Sequence, residues 1–235
     1  MNKKAIVVLS GGQDSALCLA LACRRFGAEN VAAITFAYGQ RHAVELRFAK
    51  KLAKHFAIAA HKVVKLDFYK SLTDSALFDS KRTTASSLQT AKLQTSNFKL
   101  QTSNSRLPPP TVVEGRNAIF LQIAAVWAKS LGAEYLYTGV SQTDYSGYPD
   151  CRSVFIRAQQ RALRLALEYP IKIVTPFMYK TKAEEWALAD RLGILDFIRK
   201  HTVTCYNGIP GDGCGKCDSC RLRNAGLQAY LSTNN

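Results

Sequence analysis

Short unbroken apolar runs alternate along the chain with longer stretches in which apolar residues recur at helical spacing. The runs at 5–9, 31–36, 62–66, 135–140 and 171–174 are rich in Val, Ile, Leu and Tyr, and they read as buried strands. Between them, 16–22, 43–56, 118–128, 153–167 and 180–191 read as helices. Strands separated by helical stretches build βαβ units, so the pattern predicts a doubly wound, mostly parallel five-stranded α/β sheet with helices on both faces. Ligands in such sheets sit at the carboxyl ends of strands. Two polar turns fall there, Ser10-Gly11-Gly12-Gln13-Asp14-Ser15 after the first strand and Tyr38-Gly39-Gln40-Arg41-His42 after the second.

The pattern lapses between 80 and 112. Lys92-Leu93-Gln94-Thr95-Ser96-Asn97 recurs as Lys99-Leu100-Gln101-Thr102-Ser103-Asn104, and the stretch ends in Pro108-Pro109-Pro110. Thr, Ser and Asn between the leucines argue against a coiled coil and for a polar, low-complexity surface insertion. Such an insertion is tolerated because loop closure costs rise slowly with length. We expect it to be mobile and dispensable. The expected organisation is one main domain over 1–200 and a short tail over 201–235.

The 235 residues carry 47% hydrophobic side chains, ample for a core. No apolar run reaches the length of a membrane span, and the run after Met1 is too short for a signal-peptide core. A cytoplasmic chain without a membrane partner is therefore expected. The net charge of +15 admits two readings, a nucleic-acid binder or a solvated basic surface. Its Lys and Arg are scattered, with no dense arm and no interleaved aromatic platform, which favours the second and argues against direct nucleic-acid binding.

Ser10 to Ser15 lies between a strand and a helix. Two glycines there let backbone N–H groups converge on an anion at the positive end of a helix dipole. The spacing matches neither a Walker A loop nor a dinucleotide fingerprint. The bland alternative is a Gly-rich turn without a ligand. Of seven cysteines, Cys18 and Cys23 suit core packing in the first helix. Cys205, Cys214, Cys217 and Cys220 form a C-x8-C-x2-C-x2-C set among glycines. Four thiolates favour tetrahedral zinc with a structural role, with an iron–sulfur cluster as the competitor. The loop at 141–152, rich in Asp, Tyr and Arg beside a strand end, is a substrate-binding candidate or an ordinary turn.

The stretches SGGQDS at 10–15, YGQRHAVEL at 38–46, GRN at 115–117, SGYPDCR at 146–152, TPFMYKTKAEE at 175–185 and CYNG…CGKCDSCRLR at 205–223 closely resemble the 7-cyano-7-deazaguanine synthases. SGGxDS alone marks the wider ATP pyrophosphatase (PP-loop) superfamily, with its adenine nucleotide alpha hydrolase-like fold. The resemblance covers nearly the whole chain outside 80–112. Glu114 departs from it, since proline usually precedes GRN. The resemblance implies an ATP-dependent ligase of queuosine-precursor biosynthesis that turns 7-carboxy-7-deazaguanine and ammonia into a nitrile, through adenylated carboxylate and amide intermediates. It implies ATP contacts over Leu9, Ser10, Gly11, Gly12, Gln13, Asp14, Ser15, Ala16, Leu17, Cys18 and Leu19, and substrate contacts at Tyr38, Gln40, Arg41, Asp144, Tyr148, Asp150 and Arg152. Asp14, Lys182 and Arg116 are the catalytic candidates, with no evident nucleophile among them. It further implies one structural Zn(2+) per chain on Cys205, Cys214, Cys217 and Cys220, ATP with Mg(2+) as co-substrate, and a homodimer. The competing readings are a tRNA-thiolating enzyme of the same superfamily and a zinc-stabilised nucleic-acid-binding module.

Overall fold

Strand β1 (Ala5–Val8) turns Ile6 to one face of the sheet and Ala5 and Val7 to the other, all three fully buried. That two-sided burial is what helices on both faces require. The computed structural model describes residues 4–39, 44–72, 75, 78, 112–143 and 148–233. The expected low-complexity insertion therefore lies almost wholly outside the described residues. Val112, at its expected end, is already packed in the core.

The chain runs β1, α1 (Gln13–Phe26), β2 (Val31–Ala37), α2 (Val44–His55), β3 (Ala60–Lys65), α3 (Arg116–Ser130), β4 (Tyr135–Tyr137), α4 (Ser153–Leu167), β5 (Lys172–Val174), α5 (Lys182–Arg191), α6 (Leu195–His201) and α7 (Asp218–Thr233). The five strands lie in the order β3-β2-β1-β4-β5, with every pairing parallel. On one face α3 and α4 cover Ile6, Ala32, Ile34 and Leu136. On the other, α1, α2, α5, α6 and α7 pack around Ala5, Val7, Val31, Ala33 and Tyr137. No helix among the described residues is long and apolar enough to cross a membrane.

Chain order reverses on either side of β1, since β2 lies on one flank and β4 on the other. The crevice at such a switch point is where doubly wound sheets bind ligands. β4 leaves the ladder after Tyr137, shorter than the apolar run at 135–140 predicts. Two residues on, Gly139 lies against the first turn of α1, where a Cβ would come within 2.8 Å of Asp14 Cβ. α6 and α7 are elements the sequence pattern did not predict.

Candidate active site

The loop at 10–15 closes on itself. Ser15 Oγ donates to Gly12 O at 3.0 Å and accepts from the Ser10 backbone N–H at 3.2 Å. Gly11 adopts φ +89 and presses on α2, where a Cβ would meet Glu45 O at 2.7 Å. Only glycine takes that turn without strain. α1 begins directly afterwards at Gln13, with Asp14 in its first turn, so the helix dipole points into the loop.

A cavity of about 250 Å³ opens above this loop at the carboxyl ends of β1, β2 and β4. Leu9, Ser10, Gly12, Gln13, Asp14 and Ser15 line its floor. Gly11, Ala16, Leu17, Cys18 and Leu19 do not line it; all five are buried, the last four in the core beneath α1. The opposite wall is aromatic. Phe36 stacks on Phe120 with ring centroids 4.1 Å apart, and Tyr38 meets Phe120 edge-on at 5.3 Å. Arg116 donates to Tyr38 Oη at 3.2 Å and lines the same wall. Tyr148 and Cys151 complete it. Gln40, Arg41 and Asp144 lie outside the described residues.

Asp150 does not line the cavity among the described contacts. Its carboxylate accepts from the Asn117 backbone N–H at 2.9 Å and so caps the first turn of α3. Asn117 itself faces the cavity, and its Nδ2 donates to Asp150 O and toward Cys151 Sγ. Arg152 sits half-buried where α4 begins. Glu114 precedes Gly115, which takes φ +67 at the start of α3, and the Glu114 carbonyl accepts from Tyr69 Oη at 2.6 Å.

Lys182 is almost fully buried and lies behind the floor, not along it. Its Nζ donates to Asp14 Oδ1 at 2.7 Å and to Glu185 Oε1 at 2.8 Å. Glu185 Oε2 also takes a bond from Gln13 Nε2 at 3.4 Å. Burial, reinforced by Asp14, pushes the Glu185 carboxyl well above the usual carboxylate range, against the pull of Lys182. Sequence reasoning named Lys182 and Asp14 but missed Glu185, although its spacing three residues after Lys182 on a helix puts both on one face.

Cys151 is the cysteine among the described cavity-lining residues. Burial, then Asp150, pushes its thiol up to about 12, so it stays protonated at neutral pH.

The four tail cysteines converge, with their sulfur atoms all within 4.8 Å of one another. Gly213, at φ +74, lets the chain pass against Cys220 Sγ where a Cβ would collide. Backbone N–H groups of Asn207, Lys216 and Cys217 point at sulfurs, as thiolates require. Burial pushes the Cys214 thiol up, but the N–H groups of Cys217 and Lys216, with the side chains of Cys205 and Asn207, together outweigh it and draw it down to about 6. This donor set suits a tetrahedral thiophilic ion. His201 is exposed and packs on Phe197, with ring centroids 4.9 Å apart. The segment entering the cluster also reaches the cavity through Thr204 and Tyr206, with Ser219 beside them, three residues sequence reasoning did not single out.

The family described as "Queuosine biosynthesis protein QueC" matches residues 4–231. The chain belongs to the QueC family. It is therefore an ATP-using enzyme of queuosine-precursor biosynthesis. Among solved structures, NMN synthetase from Francisella tularensis is similar in fold, with a TM-score of 0.52 and 12% identity over 100% of this chain and 87% of that one. NH3-dependent NAD synthetase from Campylobacter jejuni subsp. jejuni NCTC 11168, in complex with the nitrate ion, gives 0.46 and 17% over 84% of this chain and 67% of that one. A 4-thiouridine synthetase in complex with RNA and bound ATP gives 0.49 and 15%; the match covers 98% of this chain and 54% of that one. These last two likenesses are too loose to carry an argument. The chain spans about half the length of the 4-thiouridine synthetase.

Proposed function

We propose that the protein is an ATP-dependent ligase that converts 7-carboxy-7-deazaguanine and ammonia into 7-cyano-7-deazaguanine. The observation that supports this most is the meeting of two matched stretches across one cavity. The anion-binding loop forms the floor, and Tyr148 and Cys151 from SGYPDCR stand in the wall with Phe36, Tyr38 and Phe120. A flat deazapurine held against those rings would present its carboxylate to the phosphate of an ATP seated on the loop.

The chemistry proceeds in two activations. A carboxylate oxygen attacks the α-phosphorus of ATP, and pyrophosphate leaves. Ammonia then displaces AMP from the acyl carbon and loses a proton, giving the primary amide. The amide oxygen attacks the α-phosphorus of a second ATP, releasing pyrophosphate again. Loss of both N–H protons from the adenylated amide and departure of AMP with the former amide oxygen leave the nitrile. No protein nucleophile is needed, so the chain contributes position and charge.

The backbone N–H groups of 10–15 that the loop's own bonds leave free would hold phosphate oxygens, and the Ser10 and Ser15 hydroxyls, now bonded within the loop, would turn to join them. Arg116 is the cation among the described cavity-lining residues, placed to face charge developing on substrate or leaving group. Asp14 suits the magnesium that accompanies ATP and neutralises the leaving pyrophosphate. Lys182 acts on the reaction through Asp14, which it fixes. Gln40, Arg41, Asp144, Asp150 and Arg152 complete the substrate set by family resemblance. Zinc on the four cysteines is the structural ion of this reading, and the resemblance adds a homodimer. A thiolating enzyme would need an ionisable cysteine at the cavity, and Cys151 is held protonated.

Incubation with 7-carboxy-7-deazaguanine, ATP, magnesium and ammonium should yield the nitrile by mass spectrometry, with two AMP released per product. Absence of nitrile together with absence of substrate-dependent AMP would sink the assignment. Asp14→Ala is expected to abolish AMP formation while leaving the bound metal unchanged.

A further inference from the structure

The phosphate loop is braced from the side by the segment that leads into the cysteine cluster. Val203 N donates to Gly11 O at 2.9 Å, and the Gln13 backbone N–H, at the start of α1, reaches Thr204 Oγ1 at 3.4 Å. Thr204 is in turn held from the tail. Its Oγ1 accepts from Arg223 at 2.8 Å, and its carbonyl accepts from Ser219 Oγ at 2.8 Å.

Arg223 is an unusual residue to find at 1% exposure in the middle of α7. Its guanidinium donates to Thr202 Oγ1, Thr204 Oγ1, Ile198 O and Arg199 O, and lies 5.2 Å from the Trp186 ring centroid. A buried charge needs partners for its donors, and Nη1 and Nη2 find them in the backbone and hydroxyls at the end of α6 and along 202–204, while Nε has none among the described residues. It lies one helical turn beyond Cys220, so the cluster fixes where the guanidinium sits.

We propose that Thr204 is a positioning residue through which the cysteine-bearing tail sets the phosphate loop, with Arg223 as its anchor. The inference rests on the ATP-binding role given to 10–15 above. Thr204 holds the Gln13 N–H and, through Val203 beside it, the Gly11 carbonyl in the register that turns the loop toward an anion. A loop preorganised in this way spends less binding energy on ordering itself around ATP.

The test measures ATP dissociation constants of metal-loaded protein by calorimetry, with metal content and melting temperature recorded in parallel. Thr204→Val removes the bridging oxygen at nearly constant volume, and Thr204→Ser keeps it. Thr204→Val should weaken ATP binding about tenfold, the size of one lost hydrogen bond to a charged partner, and Thr204→Ser should restore it. Bound metal should be equal in both. Arg223→Met, remote from the cavity, should weaken ATP in the same direction. Combined with Thr204→Val it should add little, because both act through one oxygen. Equal affinity of the Val and Ser variants, or full multiplicative effects in the double variant, would overturn the proposal. Should Arg223→Met fail to fold, the Val and Ser pair still decides. Failure of the wild-type protein to bind ATP at all would instead strike at the proposed function.

Discussion

Lys182 holds two carboxylates at once, Asp14 at the loop and Glu185 in the interior, at 2.7 and 2.8 Å. Such a cluster is poor at adding net stability but costly to break, since removing one partner leaves buried charge uncompensated. Glu185, already held well above the usual carboxylate range, would take up a proton once its partner is gone, so Lys182→Met should cost about 1–3 kcal/mol in chemical denaturation, the penalty of buried polar groups left unpaired. The double variant Lys182→Met, Glu185→Gln removes the orphaned carboxyl group and should recover much of that loss. It should not recover AMP formation, because Asp14 would still lack the cation that fixes it. Recovery of activity along with stability would show that Lys182 matters only to the fold. Cys151 makes the opposite case. Its thiol is held up near 12 by burial and Asp150, so Cys151→Ser should change turnover by no more than a few-fold. Loss of activity as complete as that of Asp14→Ala would mean that the thiol reacts.

At the scale of elements, α5 and α7 approach so closely that Gly226 touches α5 at Lys182, where a Cβ would lie 2.9 Å from the Lys182 carbonyl carbon. Gly226→Ala sets two effects against each other. Helix propensity favours alanine by about 1 kcal/mol, whereas overpacking two close helices costs about 1–3 kcal/mol. The contact is with backbone as well as Cβ and cannot yield cheaply, so the clash should win, lowering the melting temperature. An unchanged or raised melting temperature would contradict the close packing. The same contact explains why α7 was illegible in the sequence. Arg223 and Gly226 point into the interior, one charged and one a helix breaker, so its buried stripe does not look apolar. β1 and β2 were legible because unbroken apolar runs suit strands buried on both faces, whereas β3, an edge strand with Lys62, Val63 and Lys65 exposed, begins at Ala60, two residues before the run at 62–66 predicts. The loop at 10–15 was legible from its glycines and its place between strand and helix. The cavity wall was not, because Phe36 and Phe120 meet only when β2 and α3, about eighty residues apart in the chain, come together on one face of the sheet.

For the molecule as a whole, the cysteine cluster ties the C-terminal helix to the sheet's ligand end, while both main cores are built without it. With a metal held there, its removal should therefore loosen the tail before the sheet. A chelator at neutral pH is expected to lower the first melting step and weaken ATP, with most helical circular dichroism retained. Metal binding should also be linked to protons. Without an ion, burial pushes the Cys217 and Cys220 thiols upward, whereas Cys214 sits near 6 and is largely ionised at pH 7. A metal takes thiolates, so binding must expel the protons that Cys217 and Cys220 still carry. Proton release makes affinity rise with pH, by about tenfold per unit for each proton expelled. Competition titrations with a chromophoric chelator at pH 6.5 and 7.5, corrected for the chelator's own titration, should show markedly tighter binding at the higher pH. Cys220→Ser should flatten that dependence more than Cys214→Ser, since the Cys214 proton is mostly gone before the metal arrives. An affinity independent of pH, or a steeper loss from Cys214→Ser, would mean that the cluster is not held as four thiolates.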